Sequence, residues 1–253
     1  MRFVLIHGAW HGAWCWEKLV PELEALGHEA VAVDLPGHGL RQNERATVGS
    51  YRQAAAEVIE EGDVLVGHSM GGYVMTLGAD AVPAKVSRMI FLAAGLPVEG
   101  KSMLDTFPGG GTVPGIDQYI ETVESGINGP CMAFHSFPGA CELLYHDCTD
   151  DDQRWAFEHL SPQPIAPLTA PIRLPNFWKH NIPASFILCT DDRGHPAPLV
   201  ADVLRRRGLS TCIGIDASHS PFISRPRETA HAIDLCAQGL VEPPPGPRTA
   251  ARR

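Results

Sequence analysis

The chain has 253 residues, enough for one sizeable α/β domain with an inserted subdomain. It is 44% hydrophobic and 19% charged, the make-up of a globular protein, and its formal charge of -9 argues against nucleic acid or an anionic membrane as a partner. No run of about 18 apolar residues occurs, so no transmembrane helix is expected.

The segment Met1–Gly8 reads as a first strand rather than a signal peptide, and the expected location is cytoplasmic. The seven cysteines, Cys15, Cys131, Cys141, Cys148, Cys189, Cys212 and Cys236, are odd in number and scattered, with no C-x-x-C pair. Neither a disulfide framework nor a zinc site fits that spacing. Free, mostly buried thiols in a reducing compartment do.

Phe3–Ile6 is a short continuous apolar run suited to a buried parallel strand. It leads into His7-Gly8-Ala9-Trp10-His11-Gly12-Ala13-Trp14, a doubled His-Gly-Ala-Trp unit whose glycines let backbone approach a ligand. Trp16–Leu26 carries apolar residues at helical spacing and stops at Gly27. Ala30–Val33 is the second strand, Ser50–Glu60 a helix, Asp63–Gly67 the third strand and Val86–Ala93 the fourth. Strands alternating with amphipathic helices predict a parallel sheet covered on both faces, with ligands beyond the carboxyl ends of the strands.

From Gly95 to about Trp178 that rhythm is lost. Val98–Pro114 is rich in glycine and proline, and Asp117–Ser125, Ala140–Tyr145 and Thr149–Leu160 read as short helices. Thr149 before three aspartates is a plausible N-cap. The stretch reads as a helical cap over residues 96–181, inserted between the two parts of the core, 1–95 and 182–240. Ala184–Thr190 restores the strand pattern, Leu199–Arg207 is a helix, Ser210–Ile215 the last strand and Pro226–Leu240 the last helix. Residues 241–253, rich in Pro, Ala and Arg, read as a disordered tail.

The sharpest signal is Gly67-His68-Ser69-Met70-Gly71 between the third strand and a helix-compatible segment. Strand, tight turn and helix with serine at the apex make a nucleophile elbow. The turn leaves no room for side chains at Gly67 and Gly71. It places the Met70 N–H at a helix N-terminus, where an oxyanion can be stabilised. A serine hydroxyl needs a base, and the base an orienting acid, in the chain order Ser, acid, His. His219, in the loop after the final strand, is the candidate base. Asp191 and Asp192, after the strand ending at Thr190, and Asp216 are candidate acids. The second oxyanion donor should come from the loop after the first strand, and the Ala9 N–H fits. His7 and His11 read as structural imidazoles that bond the loop backbone; their spacing in a glycine loop does not suit a metal. Trp14 and Trp16 are expected to pack the first helix onto the sheet. Trp10, Phe134 and Trp178 are candidates to line the pocket.

Phe3 to Trp16, Gly67 to Gly72, Cys189-Thr190-Asp191-Asp192-Arg193-Gly194-His195-Pro196 and the Ser218-His219 loop together resemble the α/β-hydrolase subgroup of plant methyl esterases and hydroxynitrile lyases, with its related bacterial esterases. The resemblance covers roughly 2–93 and 184–240 and is weak in the cap. It implies an α/β-hydrolase fold: a mostly parallel sheet of about six strands, helices on both faces and the cap before the penultimate strand. It implies Asp192 as the acid and supports Ala9 and Met70 as oxyanion donors. Lyases of this subgroup carry threonine and lysine at the positions held here by Gly8 and Ser220, the latter counted with the pocket. Without that ammonium, departing cyanide lacks its electrostatic partner. The expected activity is therefore hydrolysis of a small, largely apolar carboxylic ester, a methyl or aryl ester, through an acyl-enzyme by a serine esterase that needs no cofactor and no metal. The expected partner is the ester substrate, not nucleic acid or membrane, with a homodimer as the family-based assembly. Hydroxynitrile-lyase-like chemistry, a cofactor-independent oxygenase and a non-catalytic small-molecule binding protein are the alternatives.

Overall fold

The structure, a computed structural model, describes residues 1–106, 115–195 and 212–240. Six strands form one parallel sheet: β1 (Arg2–Ile6), β2 (Glu29–Val33), β3 (Asp63–His68), β4 (Val86–Leu92), β8 (Ala184–Cys189) and β9 (Cys212–Ile215). Their order is β2-β1-β3-β4-β8-β9. The register sets Ile6 beside Gly67, His68 beside Leu92 and Cys189 beside Ile215, so the loops that follow these strands emerge on one edge.

The sheet is buried on both faces, which is why its strands are continuous apolar runs. Strand period splits each run between two cores. Phe3, Leu5, Val64 and Val66 point to one, and Val4, Ile6 and Leu65 to the other. Helices α1 (Leu19–Ala25), α2 (Val48–Val58), α3 (Gly71–Ala81) and the last helix, Pro226–Gln238, cover them. In α2 a reciprocal capping box between Thr47 and Ser50 satisfies the first backbone donors.

The insert departs from the all-helical expectation. Asp117–Ser125 is not a helix. A short turn, Ile116–Gln118, is followed by strand β5 (Ile120–Glu124), which pairs antiparallel with β6 (Pro130–Phe134). β7 (Gln163–Pro164) completes a three-stranded sheet. The physical reason is local. Ile120, Thr122 and Val123 are β-branched, and the loop Ser125–Gly129 turns on Gly126 and Gly129, at φ 46° and 62°. The other two expected helices form as α4 (Phe137–Ala140), continued by a π turn (Cys141–Tyr145), and as α5 (Asp150–His159). Thr149 caps α5 by accepting from the Asp152 N–H at 3.2 Å.

Sheet and insert share a core: Ile116, Leu143, Leu144, Tyr145 and Ala156 lie in the same cluster as Phe3 and Val66. Trp16 is fully buried against Phe222, whereas Trp14 turns to the insert and packs edge-on against Trp155, 5.2 Å away. Among the described residues, Cys15, Cys131, Cys141, Cys148 and Cys189 form no disulfide; all are buried except the half-buried Cys148, and Cys236 is buried as well. Among the described residues no helix is long and apolar enough to cross a membrane. The expected helix 199–207 and the tail 241–253 lie outside the described residues.

One buried charge ties the return from the insert to the core. Asp80, at the end of α3, is fully buried. It pairs with Arg52 and accepts from the Asn176 and Phe177 N–H groups at 2.8 and 2.7 Å. Asp80→Ala leaves these donors without an acceptor and is expected to cost about 3 kcal/mol. Urea denaturation measures it; a loss below about 1 kcal/mol means that the segment re-pairs without the carboxylate.

Candidate active site

The elbow forms because α3 starts almost on top of β1. A Cβ on Gly71 would lie 2.2 Å from the Ile6 carbonyl, and one on Gly67 would lie 2.5 Å from the Gly71 carbonyl. Chain reversal in so little space forces Ser69 to φ 52°, a left-handed conformation that costs a non-glycine residue about 1–3 kcal/mol. The hydroxyl is thereby lifted into a cavity of about 80 Å³.

His219 and Ser69 both line that cavity. The His219 Nδ1 lies 2.8 and 2.9 Å from the two carboxylate oxygens of Asp192, and both residues are buried. A carboxylate only accepts, so Nδ1 carries a proton. Burial would raise the Asp192 carboxyl, but the charge and hydrogen bond of His219, aided by His195, hold it below its ordinary value. Asp191 turns outward to His146 at 3.0 Å, and Asp216 meets the Thr190 hydroxyl at 3.2 Å. Of the three candidate acids, Asp192 is the one that meets the base.

Ala9 and Met70 also line the cavity. Among the described residues, neither backbone N–H donates to another protein group. Trp10, at φ 64°, forms part of the wall and donates from Nε1 to the Met132 carbonyl at 2.9 Å.

The other three expected pocket residues are placed elsewhere. Phe134 packs behind Trp10, centroids 4.9 Å apart, and does not reach the cavity. Trp178 is 47% exposed and lines a separate groove with Phe91 and Phe177. Its segment is pinned through Asn176 and Phe177 to Asp80, at the opposite end of α3 from Ser69. Ser220 is fully buried just outside the cavity, at the start of the helix Pro221–Ser224. Sequence reasoning missed much of the wall: Tyr73, Met103, Ile116, Met132, Leu143 and Leu144. Their apolar character is visible in the sequence, but no local pattern brings them together. His195, also on the wall, was visible within its motif and lies parallel to the His219 ring at 6.5 Å.

A family model described as the alpha/beta hydrolase family matches residues 3–232. The chain belongs to the α/β hydrolase family. Norfluorocurarine synthase 2 from a Strychnos species is 30% identical over 95% of this chain and 96% of that protein. Putative methylesterase 11, chloroplastic, of Arabidopsis thaliana is 27% identical over 89% of this chain and 61% of its own length. The solved structure of a pyrethroid hydrolase from Sphingobium faniae aligns with a TM-score of 0.81 at 27% identity, covering 94% of this chain and 97% of that one. Together with the family, these likenesses support ester hydrolysis as the general chemistry.

Around this α/β-hydrolase elbow lies a layer of buried imidazoles. His7 Nδ1 donates to the Gly8 carbonyl at 2.8 Å and its Nε2 accepts from the Leu35 N–H at 3.2 Å. His11 Nδ1 meets the Ala9 carbonyl at 2.8 Å. Both therefore shape the loop, as the sequence suggested. His68 Nε2 meets the His219 carbonyl at 2.9 Å. Burial lowers His7 to about 4 and His11 to about 3, and pushes His38 and His68 down as well. All four are neutral at pH 7.

These imidazoles give the fold an acid limit. Unfolded histidine titrates near about 6.5. Above that pH both states are neutral and the stability is full. Below it the unfolded chain takes up protons that the folded chain refuses, until pH nears the folded values of about 4 and about 3. His7 and His11 are each expected to cost about 1.4 kcal/mol per pH unit within that window. Urea midpoints at pH 7.5, 6 and 5 check it; equal midpoints at all three contradict a neutral buried layer.

Proposed function

We propose that the chain is a serine esterase acting on a small, largely apolar carboxylic ester, with no cofactor. One observation carries the reading. Ser69 in its strained conformation, the Asp192-bound His219, Ala9 and Met70 line a single apolar cavity, and among the described residues the Ala9 and Met70 N–H groups donate to no other protein group.

In this mechanism His219 Nε2 takes the Ser69 proton as the hydroxyl oxygen attacks the ester carbonyl. Asp192 keeps Nδ1 protonated and stabilises the imidazolium. The carbonyl oxygen gains negative charge and is held by the Ala9 and Met70 N–H groups, the latter at the N-terminus of α3. His219 then gives its proton to the departing alkoxide, leaving an acyl group on Ser69. Water, activated by the same imidazole, attacks that acyl group, and Ser69 recovers its proton as the acid leaves.

The substrate class follows from the wall. Met70, Met103, Met132, Leu143 and Leu144 are apolar, and Met is adaptable in shape. The cavity, about 80 Å³, is roughly half the ~150 Å³ that accommodates benzene in an apolar protein cavity. A short acyl or alkyl group suits it. No lysine or arginine is among its described lining residues, which favours hydrolysis over release of an anion such as cyanide. The free, buried thiols accord with a cytoplasmic setting.

Ser69→Ala is expected to lower kcat on p-nitrophenyl acetate by at least about a thousandfold with the fold intact by circular dichroism. A purified Ser69→Ala variant with near wild-type turnover rejects the mechanism. Asp192→Asn is expected to lose about 10³–10⁴-fold in kcat through loss of the imidazolium's partner. Asp191→Asn, at an exposed carboxylate, is expected to stay within about threefold. The reverse ranking assigns the acid to Asp191.

A further inference from the structure

One short turn of the insert reaches three loops of the site, those after β1, β8 and β9. The π turn Cys141–Tyr145 continues α4 towards the cavity. Such turns are rare and cluster at functional sites. Tyr145 is fully buried, and its phenol O–H lies 2.7 Å from His11 Nε2. His11 Nδ1 meets the Ala9 carbonyl at 2.8 Å. A carbonyl only accepts, so Nδ1 carries the imidazole's proton and Nε2 accepts from tyrosine. The Leu144 carbonyl accepts from the Ser218 hydroxyl at 3.1 Å, next to His219. Glu142 binds Arg193, and His146, just past the turn, meets Asp191 at 3.0 Å. Those two partners flank Asp192. Leu143 and Leu144 of the same turn face the cavity.

We infer that this π turn is the positioning element of the site, and that Tyr145 fixes the oxyanion loop through His11. The inference rests on the serine-esterase reading above. The magnitudes single out Tyr145. The pairs Glu142–Arg193 and His146–Asp191 are each exposed on at least one side, so each contributes little. The line to the half-buried Ala9 runs through two buried side chains, Tyr145 and His11, where an unmatched polar atom is costly. An oxyanion donor is effective only within about 3 Å of the developing charge, so a small shift of the loop matters. Tyr145 touches neither substrate nor nucleophile in this scheme. It is a positioning residue.

Tyr145→Phe keeps the ring and removes the hydroxyl. We expect kcat on p-nitrophenyl acetate to fall about tenfold with KM within about twofold. Affinity for an aryl trifluoromethyl ketone, whose serine adduct carries the same oxyanion, should fall by a similar factor. Amide exchange at residues 7–12 should accelerate. Unchanged kcat and ketone affinity, or a loss carried by KM, overturns the inference.

Ser218→Ala cuts the tie to Leu144 and is the second variant should Tyr145→Phe not fold. Its kcat should fall by a smaller factor, and Ser218→Thr, which restores a hydroxyl, should recover it. Wild-type kcat in Ser218→Ala speaks against the turn. If the wild type neither hydrolyses esters nor reacts with a fluorophosphonate probe, the esterase reading fails by itself. Exchange at residues 7–12 in Tyr145→Phe then decides the positioning claim: acceleration upholds it, and an unchanged rate ends it.

Discussion

The site depends on the near-contact of α3 with β1. Gly71 sits so close to the Ile6 carbonyl that any side chain there would collide with backbone, which cannot yield as a side chain would. The sheet sets this distance, because the β1–β3 register places Ile6 beside Gly67. Ser69 takes up what remains of the turn by entering left-handed space, at φ 52°. The strain, about 1–3 kcal/mol, is small beside the burial of four consecutive β1 residues at about 1.5–3 kcal/mol each. Core packing in the strands thus holds the Ser69 side chain in a conformation that it would not adopt alone.

A second constraint is electrical. Four imidazoles crowd the elbow, and the His68 ring centroid lies 4.6 Å from that of His219. Had they been charged, each would oppose a proton on His219. Burial keeps them neutral, and their ring nitrogens serve as donors and acceptors for loop backbone. The carboxylate that His219 meets is Asp192. On the proposed mechanism, an imidazolium formed there has its charge partner in place and no cationic imidazole in this layer.

The core of this arrangement was legible in the sequence because it is local. Five residues from Gly67 to Gly71 encode a turn, and the apolar runs before the loops encode a parallel sheet. His219 could be placed by chain order, which left Asp191, Asp192 and Asp216 open as the acid, and the choice of Asp192 came from the family resemblance. The insert was not legible in the same way. Ile120–Glu124 offers a weak pattern on its own, and it becomes a strand by pairing with β6. Trp178 looked like a pocket aromatic by type, yet Asp80 holds its segment at the far end of α3. Long-range contacts of this kind leave no spacing rule in the chain.

The same division explains how the fold can hold chemistry fixed while altering what it acts on. The elbow and the candidate acid and base, Asp192 and His219, hang from parallel strands whose register is set by two buried cores. Much of the cavity wall comes from the insert: Ile116, Met132, Leu143 and Leu144. Yet the insert is not a detachable lid, since Leu143, Leu144 and Tyr145 share a core with Phe3 and Val66. A change in the wall is therefore felt by the sheet, and a change in the π turn is felt by the loops it touches. Side-chain exchanges at Leu143 or Met132 that conserve volume can reshape the pocket at small cost. Changes to the backbone of the turn would move the wall together with the groups proposed to do the chemistry. On the proposed function, selectivity varies through these side chains and is constrained in the backbone that carries them.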